Sequence, residues 1–255
     1  MNSIQPLLME IDCGNSAAKW RMLSAGEVVN RGVVEYADGF AQFFQSLGFA
    51  GEDLVGCRVV SVAPNEIEIE LREAWAAWAS SPIRFATVEQ QCVGVQCGYE
   101  DLSQMGVDRW AAIVAASRIV EGACVVIDAG TAMTVDILDG RKCHRGGYIL
   151  PGIDSIFASL RQSTAIPEDR FPCSEDLGSS EPGKLTFSAI ANAVSLAIRG
   201  FVDRVFSEAE ESACVILTGG HAKLLENVLL IDAKISPDLV LDGLAFLLPM
   251  EKQSA

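Results

Sequence analysis

The sequence predicts an α/β protein made of two similar halves that face each other across a cleft. Three observations carry this expectation. The stretch IDCGNSAAKW, Ile11 to Trp20, and the stretch IDAGTAMTVD, Ile127 to Asp136, both write Ile-Asp-small-Gly-polar straight after an apolar run. Their aspartates, Asp12 and Asp128, are separated by nearly half of the 255 residues. In each half a strand, a turn and a second strand are followed by helix, a repeated order that implies layered α/β domains. Half of the residues are hydrophobic, enough for a sizeable core in one large domain or in two of roughly 100–150 residues each. The repeat favours two, residues 1–115 and 116–255.

The elements follow in order. LLMEID, 7–12, is a short apolar run ending on an acid and a glycine turn, as a buried strand delivering a loop would. AKWRMLSAGEVVNRGVVEY is a meander of β-rich pieces broken by Gly26 and Gly32. DGFAQFFQSLGF places apolar residues at 40, 43, 44 and 47 and stops at Gly48, a helical spacing and stop. CRVVSVAP is a buried strand closed by Pro64. NEIEIELREAWAAWAS is helical, from its acidic first turn and the stripe Leu71, Trp75 and Trp78. GYEDLSQMGVDRWAAIVAASRIVEG is a loop running into an Ala-rich helix, with apolar positions at 110, 113, 114 and about 117. The second half restates the plan: strands in ACVVIDAGTAMTVDIL, a turn at DGRKCHRGG, a helix-rich region, the buried strand CVILTGG and a C-terminal helix DGLAFLLP. The stretch 163–185 is long and loosely patterned.

Formal charge is −15, from 34 acidic and 19 basic residues, so the mean field repels nucleic acid and anionic membrane. An acidic chain can still hold an anionic nucleotide where backbone N–H groups, helix N-termini, a few basic side chains and a metal build a local positive site. The apolar runs fall well short of the roughly 20 residues of a membrane span. The start, MNSIQPLLMEIDCG, lacks the basic region of a secretory signal, so a cytoplasmic globular protein without nucleic-acid or membrane partners is expected. Several of the eight cysteines sit in apolar segments and read as small core residues. Cys92 and Cys97 miss the C-x-x-C spacing of zinc and redox sites, and only His144 and His221 could join them. Reduced thiols are expected.

Three motifs could carry chemistry. In DCGNSAAK, Gly14 lets backbone N–H groups approach a phosphate, Asn15 and Ser16 add neutral donors, and Asp12 could hold Mg²⁺ through water. The same residue types also make a plain β-turn. The second copy, DAGTAMTVD, offers Asp128 for a cation and Thr131 for a phosphate oxygen, so the two turns could grip one ATP. Neither is a Walker A loop or a G-x-G-x-x-G fingerprint. In GVDRWAA, Asp108 is placed at a helix N-terminus. It reads either as an N-cap followed by a surface arginine or as a general base, with Arg109 pairing a substrate carboxylate. LTGGHAKLL is a nucleotide-binding corner or a Gly-Gly corner needing positive φ, with His221 as a helix-start residue. RGGYILPGI reads as a Gly-rich turn or strand-to-helix connection, and RKCHR, with His144, as a solvated turn.

Together, IDCGNSAAKW, GYEDLSQMGVDRWAAIVAA, VVIDAGTAMTVDIL, GGYILPGI, LTGGHAKLL and LDGLAFL resemble the type III pantothenate kinase family, from about residue 7 to about residue 247. The resemblance implies the duplicated ribonuclease-H-like fold of the acetate and sugar kinase, Hsp70 and actin superfamily. It implies ATP-dependent phosphorylation of pantothenate at its primary hydroxyl, the first step toward coenzyme A. By the same resemblance Asp12, Cys13, Gly14, Asn15, Ser16, Ala17, Ala18 and Lys19 form the first ATP phosphate loop, with Thr131 a second ATP contact. Ser16 stands where many members have threonine, which keeps the hydroxyl. Asp128 binds a monovalent cation, K⁺ or NH₄⁺, and Mg²⁺ accompanies ATP. Tyr99, Gly106, Val107, Asp108, Arg109 and Thr186 line pantothenate, with Asp108 as proton acceptor. Family members are homodimers, with Thr186 acting across the interface. Two other readings compete: a non-catalytic regulator like the Bvg accessory factors, and a superfamily kinase or phosphatase for another small hydroxyl compound.

Overall fold

The computed structural model describes residues 6–210 and 212–250. These gather into two compact units. Unit 1 runs up to Val93 and adds Tyr99–Ala115 and the stretch from Val240 on; unit 2 is Gly94–Gly98 with Ala116–Leu239.

Unit 1 is built on one five-stranded sheet. β1 (Leu7–Cys13), β2 (Ala17–Ser24) and β3 (Glu27–Glu35) make an antiparallel meander. After α1 (Phe40–Ser46), β4 (Leu54–Ser61) returns parallel to β1; after α2 (Asn65–Trp78), β5 (Ile83–Phe85) lies parallel to β4. The order is β3-β2-β1-β4-β5. Alternation along the strands puts Met9, Ile11, Cys13, Trp20, Met22, Cys57 and Val59 in one core with Phe40, Phe44, Leu71 and Trp75 of the two helices. Phe44 stacks on Trp78, with ring centroids 4.8 Å apart and planes 2° apart. Gly48, at φ +73°, follows the end of α1, the left-handed stop that glycine makes cheap. Gly26 sits in the β2–β3 hairpin at φ +87°, but Gly32, expected as a break, lies inside β3. A Cβ there would come 3.0 Å from Trp20 Nε1, so the missing side chain makes room for the indole.

Two short strands follow, β6 (Gln91–Cys92) and β7 (Val95–Gln96), and then α3 (Val107–Ile119). Unit 2 repeats the plan of unit 1. β8 (Cys124–Ala129), β9 (Ala132–Leu138) and β10 (His144–Pro151) form the meander, and α4 (Ile153–Ser163) and α5 (Thr186–Glu208) follow. β11 (Cys214–Thr218) lies parallel to β8; past α6 (Ala222–Leu229), β12 (Ala233–Ile235) lies parallel to β11. The order β10-β9-β8-β11-β12 matches the first sheet strand for strand, so the duplication read from two short motifs is a duplication of topology. Val125, Ile127, Val135, Phe157, Val194, Ile198, Leu217 and Leu225 belong to its core. The last helix, α7 (Leu239–Leu247), lies within unit 1 from Val240 on. There Gly243 meets the backbone of Ala111, where a Cβ would stand 2.3 Å from the carbonyl oxygen. Among the described residues no helix is long and apolar enough to cross a membrane.

Two further features depart from the sequence expectation. The turn at DGRKCHRGG closes by residue 143, with Asp139 Oδ1 accepting from the N–H groups of Arg141 and Cys143. His144 opens β10 and is buried, its Nε2 2.9 Å from Asp136 Oδ1, so RKCHR is not a solvated patch throughout. RGGYILP accordingly lies within β10, with the register slipping between His144 and Gly147. The second departure is a buried ion cluster. Glu10, wholly buried in β1, stands in register with Arg21 on β2 and Arg58 on β4. It accepts from Arg21 Nε at 2.7 Å and Arg58 Nη1 at 3.0 Å, and Arg21 reaches Asp242 of α7 at 2.6 Å. Burial alone would lower the pKa of Arg21, but Glu10 and Asp242 hold it above the ordinary value. Removing the shared carboxylate leaves buried guanidinium charge uncompensated. Glu10→Ala is therefore expected to destabilise unit 1 by about 3–5 kcal/mol. The chain's four tryptophans, at 20, 75, 78 and 110, all lie in unit 1, so urea unfolding followed by tryptophan fluorescence reads this loss directly.

Candidate functional site

The β1–β2 turn places the first set of candidates. Asp12 is the penultimate residue of β1, half-buried, and pairs across the hairpin with Lys19. Gly14 N–H closes the turn on Ala17 O at 3.1 Å, and Tyr36 Oη donates to the Gly14 carbonyl, anchoring it from below. Asn15 and Ser16 are exposed at the tip, whereas Cys13 and Ala18 are fully buried in the helix-side core. These last two offer a ligand only their backbone. Burial, with Asp12 and Glu68 behind it, pushes the Cys13 thiol well above its usual range, and burial with Cys13 and Asp12 does the same for Tyr36. Both stay neutral, leaving Asp12 and Lys19 as the turn's charges. Exposed N–H groups, a hydroxyl and a lysine at a strand end suit a phosphate.

The β8–β9 turn is its counterpart. Asp128 is again the penultimate residue of its strand and half-buried, and Thr131 is exposed. Gly130 N–H closes this turn on Ala132 O at 3.1 Å. Glycines wall it in. A Cβ on Gly152 would stand 2.2 Å from Gly130 O, and one on Gly219 would stand 2.4 Å from Asp128 Oδ1 and 2.6 Å from Ala129 O. Gly219 holds φ +86°, so the Gly-Gly corner does need a left-handed residue, and the same glycine gives the Asp128 carboxylate its room. Gly152 N–H and Ser155 Oγ both donate to Thr131 O, and His221 N–H to Ala129 O. His221 caps the start of α6, as expected, with its Nε2 3.4 Å from Asp154 Oδ2.

The GVDRW segment is the third. Asp108 is the second residue of α3, and its Oδ1 accepts from Arg109 N–H at 2.7 Å. A Cβ on Gly106 would lie 2.6 Å from that oxygen, so glycine is what lets the carboxylate fold over the helix start. Arg109 is not a surface arginine. It is 5 % exposed, donates through Nη1 to Tyr99 Oη at 2.8 Å and lies 5.6 Å from the centre of the Tyr99 ring. The structure thus brings Tyr99 and Arg109, ten residues apart, together across the 3-10 turn Leu102–Gln104. Gly106 and Val107 line a groove of about 500 Å³ with Ser61, Val62, Thr87, Val88 and Met105, a volume fitting a small substrate. Ser61, Thr87 and Val88 were not singled out from the sequence. Their signal is positional, because Ser61 ends β4 beside Cys13, and ligands of α/β sheets gather at the carboxyl ends of strands. Thr186 is in unit 2, half-buried, as the first residue of α5.

A family model for type III pantothenate kinase matches residues 8–208. The chain belongs to that family. A type III pantothenate kinase from Azotobacter vinelandii is 36% identical over 251 residues, 96% of this chain and 99% of the relative. Among solved structures, a protein described as a Baf family transcriptional activator from Campylobacter jejuni aligns with a TM-score of 0.63 at 21% identity, over 92% of this chain and 94% of that one. A 2-dehydro-3-deoxygalactonokinase protein from Sinorhizobium meliloti aligns with a TM-score of 0.57 at 11% identity, over 93% and 97%. At such identities these structures speak for the fold, which is that of the acetate and sugar kinase, Hsp70 and actin superfamily.

The span matched to the type III pantothenate kinases contains both Asp-Gly turns, the GVDRW segment and Thr186, while LTGGH and α7 lie beyond it. Among the described residues no three His, Cys, Asp or Glu side chains gather into a metal-holding cluster. One or two carboxylates completed by phosphate oxygens and water fit what is present, as Mg²⁺ ordinarily prefers.

Proposed function

We propose that this chain transfers the γ-phosphoryl group of ATP to the primary hydroxyl of pantothenate, giving 4′-phosphopantothenate. The observation that carries this reading is kinship along almost the whole chain to a type III pantothenate kinase at 36% identity. In unit 1, the N–H groups and Ser16 of the β1–β2 turn, with Lys19, hold ATP phosphate, and Asp12 takes Mg²⁺ through water. In unit 2, Thr131 contacts ATP, and Asp128 holds a monovalent cation, K⁺ or NH₄⁺. The ions lower the repulsion between phosphate oxygens and the incoming hydroxyl when bound. Arg109, preset by Tyr99, pairs the pantothenate carboxylate, and Gly106, Val107 and Thr186 line the substrate. Asp108 accepts the hydroxyl proton. A loose phosphoryl-transfer transition state asks mainly for positioning and charge stabilisation, so one carboxylate base suffices.

The chain acts as a homodimer in this reading, with Thr186 serving across the interface. Exposed apolar residues on β10, on α5 and just before α5 support it: Tyr148, Ile149, Leu185, Phe187 and Leu196. The setting is the cytoplasm, where all eight cysteines stay free. A purely regulatory role is disfavoured by the presence of Asp12, Asp108 and Asp128 together. Purified protein with ATP, Mg²⁺, pantothenate and K⁺ or NH₄⁺ is expected to form 4′-phosphopantothenate, read by mass spectrometry. No product with either cation would overturn the proposal, and faster turnover on another small alcohol in a substrate panel would redirect it.

A further inference from the structure

We propose that unit 1 carries a second binding site, for a small oxyanion, in the cavity walled by Arg58 and Arg84. The cavity is about 440 Å³ and is lined by residues of β1, β4 and β5, by Pro82 and by Met250. Among the described residues its lining holds two arginines and no acidic residue, in a chain whose net charge is −15. It is not part of the substrate groove. The cavity uses Val55 to Arg58 at the start of β4, and the groove uses Ser61 at its end; Val55 and Ser61 are roughly 20 Å apart on an extended strand.

The two guanidinium groups have donor capacity to give. Arg58 is 6 % exposed and spends Nη1 on Glu10, but its Nε is buried with no hydrogen-bond partner among the described residues. An unmet charged N–H at that depth is costly and calls for an acceptor. Glu10 cannot supply a second one freely, because its other oxygen is taken by Arg21. Around this cluster the charges of Glu10 and Asp242 balance those of Arg21 and Arg58. Arg84 is then an added positive charge. It is exposed, donates from Nη1 to the Pro249 carbonyl at 3.1 Å and forms no ion pair among the described residues. Two planar forks at one cavity match the geometry of carboxylate or phosphate oxygens. An anion bound there would tie β4 and β5 to the segment that follows α7.

The methionines give a local readout, since Met250 lines this cavity and Met105 lines the substrate groove. The full chain, labelled with ¹³C at its methionine methyls and assigned with Met250→Leu, is titrated with inorganic phosphate or with acetate, ionic strength being held constant with chloride. The Met250 methyl is expected to shift saturably with an apparent Kd of about 1 mM, independently of any shift at Met105. Arg84→Gln, at an exposed position that leaves the Glu10 cluster intact, is expected to weaken this binding at least about tenfold. A stronger response to phosphate assigns the site to phosphate esters, a stronger response to acetate to carboxylates, and either supports it. A Met250 signal that neither anion moves, or that Arg84→Gln moves with unchanged affinity, would overturn the proposal.

Discussion

Asp108→Asn is expected to lower kcat for pantothenate phosphorylation by about 10²–10⁴-fold with little change in stability or in KM. The carboxamide keeps the volume of the carboxylate, so it still fits over Gly106, and its oxygen can still accept from Arg109 N–H. The charge lost at the second residue of α3 is worth about 0.3–1 kcal/mol to the helix, too little to unfold unit 1. The Tyr99–Arg109 pair is untouched, and with it the proposed grip on the pantothenate carboxylate. What disappears is the proton acceptor. Steady-state kinetics beside a urea titration separate the outcomes. A large fall in kcat at near-constant KM and stability assigns Asp108 to the chemical step. Near-normal kcat would remove it from that role and leave it a helix cap.

The parts legible in the sequence were those set by local chemistry. The two Ile-Asp-small-Gly turns, the left-handed stop at Gly48 and the Leu71–Trp75 stripe of α2 depend on residues a few positions apart, so a single chain displays them. Reading the duplicated turns also located Asp12 and Asp128 correctly at matched places, the penultimate residues of β1 and β8. What stayed hidden is held by distant partners. Glu10 was absorbed into the apolar run LLMEID because its neutralisers, Arg21 and Arg58, arrive on other strands. The available signal was a charge at mid-strand among buried neighbours, repeated in three strands that pair. His144 looked solvated among Arg141, Lys142 and Arg145, yet the chain turns back at Asp139 and carries it onto Asp136. Arg109 likewise looked superficial beside an N-cap, yet it is buried and bonded to Tyr99, ten residues back. The groove residues Ser61, Thr87 and Val88 have ordinary identities, and their placement at strand ends is what makes them candidates.

Gly219→Ala is expected to destabilise unit 2 by about 2–4 kcal/mol and, in the same protein, to weaken the proposed activation by a monovalent cation. The backbone at this position holds φ +86°, a region that costs any residue with a Cβ. The added methyl would also stand 2.4 Å from Asp128 Oδ1 and 2.6 Å from the carbonyl of Ala129. The backbone has little freedom to retreat, because Thr218 is locked in register with Asp128 and His221 N–H is bonded to Ala129 O. A rotation of the Asp128 carboxylate away from the corner would relieve the shorter of these contacts and move the proposed cation ligand. Gly220→Ala supplies the control. A Cβ there meets nothing within 4 Å and the residue is outside the left-handed region, so its effect should stay within about 0.5 kcal/mol. Hydrogen exchange of the β8 and β11 amides reads stability in unit 2, where no tryptophan reports, and a K⁺ titration of kcat reads the ligand. Loss of protection with an unchanged K⁺ response would mean that the corner supports the fold without placing Asp128. A raised K⁺ requirement in Gly219→Ala, absent in Gly220→Ala, would tie the positive-φ glycine to the cation through the carboxylate oxygen it crowds.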